Sequence, residues 1–225
     1  MNKTARKVTL VVGTGPGTGG AIAERFARAR HIVVVTRRRG DETALLVEKI
    51  EQNGGVAHGL GCDARNEQQV VELVERVEHD IGPIQVAVHN IGANIRFPIR
   101  ETTVRKYYKV WEMAALSGFL MGREVAKCMV PRGEGTILFT GATASVRGGN
   151  GFAAFAGAMH AKRALSQSMA RELGPQGIHV AHVVIDGAID TVLVRERFPD
   201  IVESRPSDGI LNPADIAENY YQLHR

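Results

Sequence analysis

The segment GTGPGTGG, Gly13 to Gly20, is the first place where this sequence can do chemistry. It follows the apolar run VTLVV (Val8 to Val12) directly and opens a helical pattern. A glycine-rich turn in that setting lets backbone N–H groups approach an anion with no side chain in between, and the helix N-terminus adds a positive field. Two spacings coexist. Gly15, Gly17 and Gly20 fit G-x-G-x-x-G, while Gly13, Gly17 and Gly19 fit G-x-x-x-G-x-G, with Thr18 inside the same turn. The strand-turn-helix setting favours the pyrophosphate of a dinucleotide over a merely tight turn.

A second feature refines that expectation. In the ordinary dinucleotide fingerprint an acidic residue at the end of the second strand accepts a hydrogen bond from the adenosine ribose 2′-hydroxyl. Here the position carries Thr36, followed by Arg37 and Arg38 in TRRRG, and Asp41 and Glu42 come too late in the chain to replace the missing acid. An arginine fork binds a 2′-phosphate through charge-assisted hydrogen bonds. Taken alone the run would be a solvated loop; in this place it marks NADP, with NADPH preferred over NADH.

These residues need a scaffold that presents strand ends and helix starts together. Short β-branched runs predict buried strands at Val8–Val12, Ile32–Val35, Val56–Cys62, Ile84–Val88, Thr136–Thr140 and His179–Val184. Apolar residues at three- and four-residue spacing predict helices over Gly19–Ala29, Glu42–Asn53, Asn66–Asp80, Thr103–Met129 and Gly151–Leu173, with a last one from Pro213 to about Leu223. The alternation calls for an α/β fold: a three-layer αβα, Rossmann-type, doubly wound parallel sheet. The 225 residues form a single domain, with no linker, repeat or low-complexity segment.

Composition bounds the rest. With 44% hydrophobic and 23% charged residues, the chain reads as a globular, cytoplasmic protein without a membrane span or signal segment. A net charge of +4 is too small for a nucleic-acid-binding arm. Cys62 and Cys128 are two free thiols, and no metal site is expected.

Further motifs lie along nearly the whole chain: Asp63 in GCDARNEQQV, VHNIGA (Val88 to Ala93), MARELGPQGIHVAHVV (Met169 to Val184) and DGAIDT (Asp186 to Thr191). With the G-x-x-x-G-x-G spacing, these make the sequence resemble the short-chain dehydrogenase/reductase family. The resemblance implies that Asp63 contacts the adenine amino group, that Asn90 is the second asparagine of an N-N-A-G segment with His89 in place of the first, and that Gly92, Gly187 and Thr191 line the cofactor. It also implies a small-molecule substrate and a homo-oligomer, dimer or tetramer. Family members generally add another strand after the helix near Pro213, whereas this sequence stops at YYQLHR, so either a tail lies outside this sequence or the sheet is one strand short. The segment of about 190–213 falls where the family keeps a substrate-covering loop, and reads as a lid or as plain surface.

The same resemblance implies an active site of Asn, Ser, Tyr and Lys, in which the ammonium lowers the phenol pKa so that it can exchange protons near neutrality. Ungapped alignment puts Ala114, Ala142, Phe155 and Met159 at those four places, and none of them transfers a proton. Thr143, Ser145 and Lys162 are the nearby candidates. The plainer reading makes the two hydroxyls turn residues bonded to local backbone, and Lys162 a solvated or interface lysine. His160 reads as an ordinary packed or exposed histidine. Tyr107, Tyr108 and Trp111 read as core or subunit-interface residues. Two functions stay open: an atypical oxidoreductase passing hydride between NADPH and a small carbonyl or activated alkene, and a non-catalytic dinucleotide-binding protein with a sensing or structural role.

Overall fold

Valine, isoleucine and leucine fill the strands because the sheet is covered on both faces, so each strand needs apolar side chains in both directions. The computed structural model describes residues 7–197, 199–203, 206 and 209–225. The strands are β1 (Val8–Val12), β2 (Ile32–Arg37), β3 (Val56–Gly61), β4 (Ile84–His89), β5 (Gly135–Ala142) and β6 (Ile178–Ile185). All pair in parallel, in the order β3-β2-β1-β4-β5-β6. This order reverses direction between β1 and β4, and a crevice opens there beyond the carboxyl ends of the strands.

The helices are α1 (Thr18–Arg28), α2 (Ala44–Gln52), α3 (Glu67–Arg76), α4 (Val104–Trp111), α5 (Ser117–Met129), α6 (Ala153–Leu173), α7 (Val192–Arg197), α8 (Pro199–Glu203) and α9 (Pro213–His224). On one face of the sheet Val8, Leu10 and Val12 of β1 meet Leu73 of α3 and Leu120, Val125 and Met129 of α5. On the other face Val11, Val33 and Val35 meet Ile22 and Phe26 of α1, Ile50 of α2 and Tyr220 of α9. The alternation along β1 sends successive side chains to opposite cores. This is the single-domain, doubly wound sheet expected from the sequence.

The differences are local. The helix expected from Glu42 begins at Ala44, because Gly40–Thr43 forms a 3₁₀ turn closed by Thr43 Oγ1 donating to the Gly40 carbonyl at 2.6 Å. The long helix expected over Thr103–Met129 is interrupted by one wide π turn, Glu112–Leu116, a feature frequent at functional sites. Ala114 sits on that turn. The segment of about 190–213 carries α7, α8 and a bridge between Ile189 and Leu211, and lies partly outside the described residues. The sheet has six strands among the described residues, with β6 at one edge.

Candidate functional site

The glycine turn is held as a cradle by contacts that tolerate no side chain. Gly13 adopts φ +94°, and a Cβ there would sit 2.6 Å from Ile91 Cγ1 and 2.9 Å from the Asn90 carbonyl. At Gly19 a Cβ would lie 2.6 Å from the Gly13 carbonyl, and at Gly17 it would lie 2.8 Å from Thr191 Cγ2. Gly15 faces open space. The α1 N-terminus has neither a side-chain cap nor an acid in its first turn, so its positive end is left for a ligand anion. A relay of polar groups fixes the turn from behind: Tyr220 OH donates to Thr140 Oγ1 at 2.7 Å, Thr140 Oγ1 to Asn90 Oδ1 at 2.9 Å, and Asn90 Nδ2 to the Gly13 carbonyl at 2.9 Å. Thr14 ties the same turn to β2 through its N–H and hydroxyl, both 3.0 Å from the Thr36 carbonyl. Asn90 acts here through its side chain on the cradle.

Beyond the cradle, between the ends of β2 and β3, lies a cavity of about 580 Å³. It is the charged end of the cleft, lined by Arg37, Arg38, Arg39, Glu42, Asp63 and Arg65 among others. Glu42 corrects an expectation. The 3₁₀ turn at Gly40 folds it back into the cavity, where it pairs with Arg37 at 3.1 Å and Arg39 at 2.8 Å. Asp63 is held by Arg65 through two bonds of 2.8 and 2.5 Å, and Arg65 keeps its carboxyl below the usual carboxylate range. Arg38 lines the cavity with no carboxylate partner among the described residues. Arg39, Glu42 and Arg65 were missed as site residues; adjacency to Arg37, Arg38 and Asp63 was the available signal.

On the other side of the cradle two smaller cavities continue the cleft. One, of about 300 Å³, is lined by Gly15, Gly17, Thr18, Gly19, Asn90, Gly92, Ala142, Phe155, Met159 and Gly187. The next, of about 330 Å³, shares Asn94, Ala142, Phe155, Ile185 and Gly187 with it and reaches out to Thr143, Arg147 and Phe152. The floor is apolar. Ala114, Phe155 and Met159 belong to one small hydrophobic cluster with Ala93, Val110, Ala154 and Ala158, with Ala142 packed against it. The four positions thus form a closed packing unit between the π turn and α6.

The three nearby candidates separate cleanly. Thr143 lines the outer cavity and its hydroxyl donates to Asp186, a side chain rather than local backbone. Ser145 is fully buried, and its Oγ accepts the Ala142 N–H at 3.1 Å, so it closes a turn and faces no cavity. Lys162 overturns the expected solvated or interface lysine: it is 0% exposed. Its Nζ donates to the Ile91 carbonyl at 2.8 Å, behind the cleft, and burial lowers its pKa to about 7. Helical spacing gave the face of Lys162 but not its neighbour, Gly118 of α5, where an added Cβ would lie in ordinary contact with Lys162 Cδ at 3.4 Å.

His89 packs beside the same stem. Ser117 Oγ donates to the Met113 carbonyl at 2.5 Å, so the 2.7 Å contact between Ser117 Oγ and His89 Nε2 places the imidazole proton on Nε2. Its Nδ1 is then a buried acceptor with no partner among the described residues. Burial and the neighbouring Lys162 hold this imidazole neutral.

Other residues fall outside the cleft. His160 bonds the Ala156 carbonyl of its own helix at 2.8 Å. Tyr107, Tyr108 and Trp111 are exposed on α4 rather than part of the core. Cys62 and Cys128 are free thiols, with burial pushing Cys62 up to about 11. No cluster of metal-ligating side chains exists among the described residues, and no helix there is long and apolar enough to cross a membrane.

Comparison with known proteins agrees with this geometry. The model of the family described as short chain dehydrogenase matches residues 7–201. A 3beta-hydroxysteroid dehydrogenase of Mediterraneibacter gnavus is 29% identical over 202 residues, covering 89% of this chain and 72% of the relative. The crystal structure of a short-chain dehydrogenase from Rhodopseudomonas palustris is 43% identical, with a TM-score of 0.83 over 98% of this chain and 92% of that one. The actinorhodin polyketide ketoreductase, crystallised as a point variant with NADPH, is 26% identical, with a TM-score of 0.90 over 100% of this chain and 92% of its own. A glycine cradle at a helix N-terminus, at the switch point of a 3-2-1-4-5-6 sheet, is the place where such folds take a nicotinamide dinucleotide. The chain belongs to the short-chain dehydrogenase family of oxidoreductases.

Proposed function

We propose that the chain is an NADP(H)-dependent oxidoreductase with an atypical active site, passing hydride between NADPH and a small carbonyl compound or an activated alkene. The observation that carries the cofactor preference is Arg38, which lines the charged cavity without a carboxylate partner among the described residues while Glu42 occupies Arg37 and Arg39. An unpaired guanidinium favours a 2′-phosphate, whereas a free carboxylate would favour a bare ribose. Gly13, Gly15, Gly17, Thr18 and Gly19 would hold the pyrophosphate. Asp63, Asn90, Gly92, Gly187 and Thr191 would complete the cofactor site. When bound, the nicotinamide supplies the hydride.

Proton delivery is the atypical part. Phe155 and Met159 are 5% and 2% exposed and packed against Ala114, which leaves neither a phenol nor an ammonium to serve as acid. Thr143 lines the outer cavity, but its hydroxyl proton is committed to Asp186, which leaves water or the substrate itself to supply the proton. Loss of a general acid typically costs about 10²–10⁴-fold without abolishing reaction. An enone suits such a site better than a ketone, because conjugation spreads the developing negative charge. We place the protein in the cytoplasm as a dimer or tetramer, and the exposed Tyr107, Tyr108 and Trp111 on α4 support the oligomeric part of that reading.

The apolar cluster at Ala114, Phe155 and Met159 favours a second reading, a dinucleotide-binding protein without turnover. NADPH consumption across a panel of carbonyls and enones separates the two, with wild type compared with the Phe155→Tyr/Met159→Lys double variant. Wild-type turnover of an activated alkene is expected. Activity in the double variant alone would establish the non-catalytic reading.

A further inference from the structure

The outer cavity differs from the rest of the cleft in how its charge is arranged. Its volume of about 330 Å³ is at the low end of the roughly 300–1,000 Å³ typical of small-molecule sites, so its occupant is small. Phe152, Phe155, Ala144 and Ile185 give it an apolar body, and no acidic residue lines it. Arg147 is its single charged lining residue and has no carboxylate partner among the described residues. In the charged cavity, by contrast, Arg37 and Arg39 share Glu42 as a partner and Arg65 pairs with Asp63.

The wall bearing Arg147 is held in place. Arg147 N–H donates to the Thr143 carbonyl at 3.1 Å, which fixes the residue at the end of the turn that carries Thr143. Phe152 N–H donates to the carbonyl of Gly149, another lining residue, at 3.0 Å, which fixes the segment that follows Arg147. Arg147 therefore stands at the end of the ordered turn that also brings Thr143 to the cavity lining.

Building on the oxidoreductase reading, we propose that this cavity takes a small carbonyl compound bearing a carboxylate, with the carboxylate on Arg147 and the hydrocarbon body between Phe152 and Phe155. A planar fork with no second cation lining the cavity matches a singly charged carboxylate better than a doubly charged phosphate. Arg147 is thus a specificity-determining residue, separate from the cofactor cradle.

The test uses ligands of one shape and different charge, so it does not depend on turnover. The full chain, saturated with NADP, is titrated calorimetrically with phenylacetate and with phenylacetamide. Phenylacetate is expected to bind roughly two- to fivefold tighter, as a partly exposed charge pair allows. That preference should vanish in Arg147→Gln, return in part in Arg147→Lys, and leave NADPH affinity unchanged in all three proteins. Equal binding of the two ligands, a preference that survives in Arg147→Gln, or no binding of either ligand would overturn the proposal. Absence of NADPH binding would overturn the cofactor reading instead, and the same pair titrated into the cofactor-free protein would still decide the role of Arg147.

Discussion

The two ends of the cleft are built from opposite materials. At the charged end, four arginines and two carboxylates line one cavity, and Arg38 is the lining arginine that forms no ion pair among the described residues. At the other end, Ala114, Phe155 and Met159 form a packed apolar cluster beneath the floor. Charged groups at a solvated cavity recognise a ligand at little cost to folding, because water and ion pairs screen them. The apolar end contributes to the core, so a change there alters stability and chemistry together. Recognition and folding have been separated in space, and each end should respond differently to substitution.

Breaking the shared cradle should have the largest effect. Gly19→Val would drive a side chain into the Gly13 carbonyl, 2.6 Å from the added Cβ. NADPH binding should weaken at least about a hundredfold, ~3 kcal/mol at ~1.4 kcal/mol per decade, in a fluorescence titration. An effect below tenfold would show that the cradle is not the phosphate site.

The apolar end gives the next effect, through pH. Lys162 titrates near 7 in the fold and near 10.5 when unfolded, so both states are protonated below pH 7 and only the unfolded state is protonated between the two values. Stability therefore carries a full penalty below pH 7, which is relieved as pH rises towards 10.5, at about 1.4 kcal/mol for each unit of displacement. Lys162→Met should lose this rise, giving a flatter thermal-stability profile across that window. An unchanged profile would mean that Lys162 is not buried.

Smaller effects should distinguish the arginines. Arg38→Ala should weaken NADPH about tenfold and leave NADH unchanged, as loss of one charge-assisted bond implies. Glu42→Gln should release Arg37 and Arg39 and tighten NADPH by a few-fold. Tyr220→Phe removes one bond at the far end of the relay to Gly13 and should lower stability by about 1 kcal/mol in denaturant unfolding.

The same contrast explains what could be read from the amino-acid sequence. Strand periodicity and the glycine spacing located the sheet, the cradle and the Arg37–Arg38 step, because these depend on local pattern. The pairing of Glu42 with Arg37 and Arg39 was hidden, since it requires the 3₁₀ turn that Gly40 starts. Lys162 was misjudged because its burial depends on packing against other parts of the chain, Gly118 of α5 and the Ile91 carbonyl, a long-range fact without a local signature. The π turn at Ala114 and the Thr143–Asp186 bond likewise arise from tertiary contacts.

In the proposed function, cofactor choice rests on Arg38, which forms no ion pair among the described residues, selecting a 2′-phosphate. Paired titrations of NADPH and NADH into the wild-type chain, at one ionic strength, measure that selection without any substitution. NADPH should bind at least about tenfold tighter. Equal affinities, or tighter binding of NADH, would contradict the role given to Arg38.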